Sequence, residues 1–428
     1  MTTINTLHSL YLNCKSISTD TRKIESNCIF FALKGENFDA NTFAKEALEK
    51  GAKYVVIDNS DYLIDERTLL VENTLTTLQE LAKFHRNYLG LPIIALTGSN
   101  GKTTTKELIN AVLSKKYNTL ATIGNLNNHI GVPLTLLRFN KETEIGIVEM
   151  GANHQKEIEF LCDIAQPDYG YITNFGKAHL EGFGGVEGVI KGKSEMYDYL
   201  KNKNKLIFVN LDDTIQNEKT ITVNRFSFAV NTSQSDVRIT AVEANPMVKI
   251  TYNNLLINSH LIGIYNANNI NAAITIGNYF KVSDEQIKEA IENYIPENNR
   301  SQLIQKGSNE IILDAYNANP SSMTAAITNF IQLEKENKIA ILGDMFELGK
   351  ESLIEHKKIV ESLENQKKIQ IYFIGKDFYW NKINSNHLHF FEDFNSFSKF
   401  IEANKPTNSL LLIKGSRGMA LERILEII

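Results

Sequence analysis

Between the apolar run Ile93-Ile-Ala-Leu96 and a helical pattern from Thr104 to Lys115 lies Thr97-Gly-Ser-Asn-Gly-Lys-Thr-Thr104. Two glycines, a lysine and adjacent hydroxyls at this spacing have the chemistry of a phosphate cradle. Gly98 and Gly101, flanking Ser99 and Asn100, let the backbone wrap, so that consecutive N–H groups face phosphate oxygens. The start of the following helix adds the positive end of its dipole. Lys102 supplies a point charge for β- and γ-phosphates, and the Thr103 hydroxyl, beside Thr104, suits Mg²⁺. The common GxxxxGK[ST] spacing asks for glycine at position 96, where this chain has Leu96.

Further residues with chemical potential follow apolar runs. Glu149 ends Ile145-Gly-Ile-Val-Glu149, and a carboxylate at the C-terminal edge of a parallel strand stands where open α/β sheets bind ligands. Such a carboxylate suits Mg²⁺, which takes one or two carboxylates together with waters and phosphate oxygens. His179 also follows a strand-like run, and Lys191 and Lys193 open a helical stretch after a glycine pair. Asp314 ends another apolar run and leads into Tyr316-Asn-Ala-Asn-Pro320. Taken alone, a strand-end Glu is more often solvated, a lone His more often a satisfied surface or core group, and these lysines more often exposed. Together with the phosphate loop, they point to an Mg²⁺-dependent ATPase or an ATP-driven ligase, with the substrate open.

These residues need elements to hold them. A chain of 428 residues suggests about three domains. The N-terminal stretch mixes strand-like runs (Cys28 to Leu33, Tyr54 to Ile57) with helical patterns at Thr42 to Glu49 and Leu75 to Leu89. Gly90-Leu91-Pro92 then sets the first boundary, giving a domain over 1–90. From Ile93, strand-like runs at Ile145 to Met150, Tyr169 to Asn174 and Leu206 to Asn210 alternate with helical patterns. That alternation predicts a mostly parallel sheet with helices on both faces. The short alternating runs from Arg225 to Ile262 predict an antiparallel ribbon beside it. Helices over Ala267 to Tyr279 and Ser283 to Tyr294, closed by Pro296, end a central domain at 91–296.

The remaining 297–428 alternates again, with strands at Ile311 to Asp314, Ile339 to Leu342, Ile369 to Ile374 and Leu410 to Ile413. Helices are expected at Ser321 to Glu336 and Glu351 to Leu363. This is a Rossmann-like pattern without GxGxxG, so no dinucleotide is implied. Composition agrees with a folded α/β protein: 43% hydrophobic, 22% charged, net charge −5. Mild acidity argues against nucleic acid as a partner. No apolar run is long enough to span a bilayer, and the N-terminus lacks the pattern of a secretion signal. Three cysteines without a CxxC pair are expected as buried thiols in a cytoplasmic protein.

At this point the constellation resembles a known family, the cytoplasmic Mur ligases of peptidoglycan synthesis, over nearly the whole chain. Their phosphate loop reads TGxxGK[ST], which accounts for Leu96. Glu149-Met-Gly-Ala-Asn153 and Asn174-Phe-Gly-Lys-Ala-His-Leu-Glu-Gly-Phe-Gly184 resemble the family's metal segments. The resemblance implies that Thr103, Glu149 and His179 bind Mg²⁺ (two ions), and that Lys193 falls where several members carry a carbamylated lysine. Asn266 and Asn269 match the adenine-contacting GxHNxxN pattern, with Tyr265 in place of its His. Arg300 lies at a hinge facing the nucleotide, and Asp314 would reach the ATP ribose.

Within the family the closest likeness is to the branch that joins D-alanyl-D-alanine to UDP-MurNAc-tripeptide. Ser18-Thr-Asp-Thr-Arg22 and Ala32-Leu-Lys-Gly-Glu-Asn-Phe-Asp39 resemble its uridine-nucleotide pocket, implicating Thr19, Asp20, Arg22 and Lys34. Asn125-Leu-Asn-Asn-His-Ile-Gly-Val-Pro133 resembles the loop facing the muramoyl peptide, with Asn127 and Asn128. Asp314-Ala-Tyr-Asn-Ala-Asn-Pro-Ser-Ser-Met323, Leu342-Gly-Asp-Met-Phe-Glu-Leu-Gly349 and Lys414-Gly-Ser-Arg417 complete the likeness. They imply substrate contacts by Tyr316, Asn317, Asn319, Lys414 and Arg417. No DNPR-like motif of the diamino-acid-adding sibling occurs, and the N-terminal segments argue against folylpolyglutamate synthetase. A catalytically dead scaffold would need none of Lys102, Thr103, Glu149, His179 and Lys193 together. The resemblance thus implies three domains: one for UDP-sugar, one for ATP, and one for the dipeptide; a monomer is the default expectation.

Overall fold

Strand Ile93–Thr97 is buried at every position, and its two faces serve different cores: Ile93 and Ala95 join one apolar cluster, Ile94 and Leu96 another. A strand covered on both faces belongs inside a sheet flanked by helices. In the computed structural model, which describes residues 1–428 except 231, 233 and 298, it lies between Tyr169–Ile172 and Ile145–Glu149, parallel to both. The sheet has nine strands. Thr119–Ala121 closes one edge, while Leu206–Asn210, Arg225–Val230 and Val237–Ala244 continue it on the other side, all in parallel register.

The expected antiparallel ribbon is therefore corrected. Arg225–Val230 and Val237–Ala244 extend the parallel sheet, and antiparallel pairing begins only with Met247–Tyr252 and Leu255–Ile262. Apolar alternation, as in Val248, Ile250 and Tyr252, records that one face is covered by the helix Ala267–Tyr279. It carries no information about strand direction. A second correction concerns the helix holding Lys193: it starts at Val186 and runs to Asn202, so that lysine is interior to it and buried rather than at an exposed start.

Before this sheet, four parallel strands (Ile17–Ser18, Ile29–Phe31, Tyr54–Ile57 and Thr68–Leu70) form a smaller one. Helix Thr74–Leu89 starts at the side-chain cap of Asn73 and stops at Gly90, whose left-handed conformation ends it. With helix Ile4–Tyr11 it carries a buried relay to the central sheet's flank. His8 Nε2 lies 3.0 Å from His85 Nδ1, and His85 Nε2 lies 2.9 Å from the Phe139 carbonyl. Both imidazoles are pushed below the usual histidine range, chiefly by burial.

After the central sheet, six strands build a third: Gln302–Lys306, Asn309–Asp314, Leu410–Lys414, Lys338–Gly343, Ile369–Ile374 and Leu388–Phe391 in spatial order. All pair in parallel except the first, an edge strand with alternating exposure. Helix Pro320–Gln332 packs beside it and ends earlier than its apolar pattern suggests, because Leu333 is already extended. One apolar cluster runs from Leu7 and Phe31 through Ala95 and Val148 to Leu342 and Phe373, so the three sheets share a continuous core. Cys28 and Cys162 are buried, Cys14 is half-buried, and all three are free thiols. Among the described residues, no helix is long and apolar enough to cross a membrane.

Candidate active site

The parallel register brings three neighbouring strands to an end at one edge, Leu96 beside Glu149 and Thr97 beside Ile172. From that edge leave the phosphate loop, the turn after Glu149 and the segment leading to His179. The loop is held by its neighbours. Ser99 N–H donates to the Asn174 carbonyl (3.1 Å), Ser99 Oγ to the Gly176 carbonyl (2.8 Å) and Thr173 Oγ1 to the Asn100 carbonyl (2.6 Å). Its two glycines are required by space as well as conformation. Gly98 has φ +142° and a Cβ there would fall 2.0 Å from Thr173 Oγ1; Gly101 has φ +76° and a Cβ there would fall 2.5 Å from Asn269 Oδ1. Helix Lys102–Leu113 begins at Gly101 with no side-chain cap, leaving its first N–H groups to an anion.

Lys102 Nζ donates to the Gly98 carbonyl at 2.9 Å, closing the loop on itself. Burial pushes its amine down, against the upward pull of Glu149. Glu149 is 1% exposed. Its Oε1 accepts from Asn127 Nδ2 at 2.8 Å, and its main-chain N–H donates to Thr122 Oγ1 at 3.0 Å. Its Oε2 is buried with no hydrogen-bond partner among the described residues. A buried carboxylate oxygen left without a partner is a place for a cation. No three His, Cys, Asp or Glu side chains converge into a ready cage among the described residues. Mg²⁺ needs none: one carboxylate, the Thr103 hydroxyl on the same cavity, waters and phosphate oxygens make an ordinary set. The donor set therefore fits Mg²⁺.

These groups open into a cavity of about 840 Å³. Of the residues singled out in the sequence, it brings together Ser99, Asn100, Gly101, Lys102, Thr103, Thr104, Asn127, Asn128, Glu149, His179, Asn266, Asn269, Arg300, Asp314, Tyr316, Asn317, Asn319 and Lys414. Asn269 accepts from Thr105 Oγ1 (3.0 Å) and donates to Asn266 Oδ1 (2.8 Å), so both asparagines are set against the phosphate-loop helix. Tyr265, in the place of the family's His, also lines the cavity and meets Ser301 Oγ at 2.9 Å. Asp314 and Lys414 are register partners on adjacent strands and pair at 2.6 Å, while Ser301 N–H donates to the other oxygen of Asp314 at 3.2 Å. The Arg300 guanidinium stacks 3.6 Å from the Tyr316 ring centre. Asn319 caps helix Pro320–Gln332 and donates to Asn100 Oδ1 at 2.7 Å, joining the third sheet to the phosphate loop.

Other singled-out residues lie off this cavity. Gly98 is behind the loop against Thr173. Lys193 is buried, its Nζ donating to the Ala152 carbonyl at 3.2 Å and lying 5.0 Å from the Phe183 ring centre. Burial first, then the charge of Lys102, pushes its amine well below the ordinary lysine range. On the N-terminal unit, Arg22 pairs with Asp20 at 2.8 Å beside Thr19, and Lys34 pairs with Asp58 at 2.9 Å. Arg417 pairs with Glu422 at 2.7 Å. Sequence reasoning missed Glu157, Asp213 and Ser301, which line the cavity from sites far apart in the chain. It quoted Glu347 within a motif without giving it a role.

Comparison with known proteins follows the same lines. The Mur ligase middle domain matches residues 96–277, and the Mur ligase glutamate ligase domain matches residues 299–417. The UDP-N-acetylmuramoyl-tripeptide–D-alanyl-D-alanine ligase of Bacillus subtilis is 35% identical, across 96% of this chain and 92% of the relative. The crystal structure of MurF from Acinetobacter baumannii superimposes with TM-score 0.87 at 32% identity, covering 99% of this chain and 98% of that one. MurF from Thermotoga maritima, solved in complex with ADP, superimposes with TM-score 0.83 at 26% identity, covering 97% of both chains. Alike in sequence and in fold over nearly its whole length, the chain belongs to the Mur ligase family, in the branch of the UDP-N-acetylmuramoyl-tripeptide–D-alanyl-D-alanine ligases.

Proposed function

We propose that this chain is an ATP-driven ligase joining D-alanyl-D-alanine to UDP-MurNAc-tripeptide, working as a monomer in the cytoplasm. The observation that carries the reading is a single cavity shared by the phosphate loop, the Glu149 and His179 segments, and the strand ends bearing Asp314 and Lys414. A carboxylate and an amine do not condense in water without activation. Here the terminal carboxylate of the tripeptide attacks the γ-phosphorus of ATP, the bond to the ADP oxygen breaks, and an acyl phosphate forms. The dipeptide amine then attacks the acyl carbon and loses its proton. The tetrahedral intermediate expels phosphate, leaving the new amide of the pentapeptide.

The barrier lies in bringing one anion onto another. Lys102 and the free N–H groups at the uncapped helix start are donors fixed in advance around that charge, while the Ser99 and Asn100 N–H groups are taken up by Asn174 and hold the loop in shape. Thr103, Glu149 and His179 would hold Mg²⁺, with two ions and a carbamate on Lys193 in the full site; bound metal neutralises charge on phosphate oxygens. Support for the carbamate is the burial of Lys193, since an unprotonated amine is the form that adds carbon dioxide. Gly98 shapes the loop, while Ser99, Asn100, Gly101 and Thr104 surround the phosphates. Asn266 and Asn269 face adenine, and Arg300 and Asp314 face the ribose side.

Residues 1–90 would hold the uridine nucleotide through Thr19, Asp20, Arg22 and Lys34, with Asn127 and Asn128 along the muramoyl peptide. Residues 91–296 would hold ATP. Residues 297–428 would hold the dipeptide, with Tyr316, Asn317, Asn319, Lys414 and Arg417 as contacts. Aligning three substrates this way accounts for roughly 7–11 kcal/mol of the barrier through effective molarity. The chemistry is tested with tripeptide labelled by heavy oxygen in its terminal carboxylate. One labelled oxygen in the released phosphate is the expected result. Unlabelled phosphate alongside pentapeptide would contradict the acyl-phosphate step.

A further inference from the structure

Glu347 follows strand Lys338–Gly343 of the third sheet, yet its carboxylate rests against Nδ1 of His179, which hangs from the central sheet. The main chain reinforces this contact: Glu181 N–H donates to the Glu347 carbonyl at 3.3 Å. The loop carrying Glu347 is fixed from behind by buried groups. Met345 N–H donates to His356 Nε2 (2.9 Å), Phe346 N–H to Ser416 Oγ (2.8 Å), and Asp344 accepts the N–H groups of Asp377 and Phe378 at 3.0 Å each. His356 is fully buried and donates through Nδ1 to the Ser352 carbonyl at 2.8 Å, which leaves its Nε2 as the acceptor that Met345 needs. Glu347 itself sits at φ 63°, a backbone state that only a determined loop keeps. On the other side, Lys177 pairs with Glu355 at 2.9 Å and its N–H donates to Ser321 Oγ at 2.8 Å, so the segment bearing His179 is gripped from the third sheet at both ends.

A carboxylate against one ring nitrogen decides what the other can do. The close carboxylate contact favours a proton on Nδ1, short of a well-aligned hydrogen bond in this arrangement, and a proton there leaves the Nε2 lone pair for the cavity that His179 lines. We propose that Glu347 is a positioning residue that fixes the tautomer and ring orientation of His179 from across the domain interface. The inference rests on the reading of His179 as a metal ligand.

The test uses the full-length protein with ADP, titrated with Mn²⁺ while free Mn²⁺ is followed by electron paramagnetic resonance. Loss of an outer partner of a metal-bound His weakens affinity by about 10- to 100-fold. Because the Glu347 side chain is 54% exposed, the expected loss for Glu347→Ala is near the low end, about tenfold. Glu347→Gln, which still accepts from Nδ1, should recover part of it. The double variant with His179→Ala should bind no more weakly than His179→Ala alone. If His179→Ala leaves Mn²⁺ binding unchanged, the ligand reading and this inference both fall. If His179→Ala weakens binding while Glu347→Ala does not, or if the two losses add, the positioning role alone is overturned.

Discussion

In the proposed mechanism Lys102 would carry most of the electrostatic burden, because no other cation among the described residues both starts the loop helix and lines the cavity beside Glu149. Lys102→Ala is expected to lower kcat by at least ~10²-fold, the scale of one lost preorganised stabiliser; near-normal phosphate release in that variant would remove Lys102 from the mechanism. Lys193→Ala is expected to abolish turnover, without rescue by high bicarbonate, and intact turnover would make its burial merely structural. At this scale the sequence was informative wherever chemistry is local. The Gly-Lys-Thr run and Glu149 at its strand end could be read directly, since each is defined by its immediate neighbours. Ser301, Asp213 and the contact of Glu347 with His179 could not, because they exist only once segments more than a hundred residues apart meet.

At the scale of elements, the strands and helices that stand around the site followed from apolar periodicity and from Gly and Pro punctuation. Helix Ala267–Tyr279 and strand Ile369–Ile374 lie where the pattern puts them. Strand direction beyond Arg225 did not follow, since one-sided burial looks the same in parallel and antiparallel pairs. Short or half-exposed strands such as Thr119–Ala121 and Leu388–Phe391 left too little pattern to read. The loop-to-helix junction makes a sharp expectation. Gly101→Ala places an L-residue in a left-handed conformation that costs roughly 1–2 kcal/mol, and drives its Cβ into Asn269. The KM for ATP should rise about tenfold or more; an unchanged KM would mean that the loop does not cradle the nucleotide.

The His8–His85 relay makes another expectation for an element pair. Neutral His8 donates through Nε2, and neutral His85 accepts at Nδ1 and donates to Phe139, so the neutral pair is satisfied where burial opposes an added charge. Both folded pKa values lie below 6.5, so as pH falls through about 6.5 the unfolded chain takes up protons first. The contribution to stability is full above that pH and declines below it. Urea midpoints measured from roughly pH 7.5 to 5 should fall more steeply for the wild type than for His85→Gln. Parallel curves would show that the pair does not titrate in this way.

On the scale of the whole molecule, three sheets share one core, and the third is tied to the phosphate loop through Asn319 and Asn100 and to the His179 segment through Glu355 and Lys177. The cavity lies at that junction, and Thr19, Asp20, Arg22 and Lys34 of the N-terminal unit are not among the residues that line it. In the proposed reaction such a layout would bring an activated carboxylate to an incoming amine under the cover of the third sheet. The measurement that bears most directly on this function is phosphate release from ATP with UDP-MurNAc-tripeptide, with and without D-alanyl-D-alanine, followed by mass spectrometry of the products. Release that needs both substrates and yields the pentapeptide is the expected result. Absence of release and of pentapeptide with all three substrates present would contradict it.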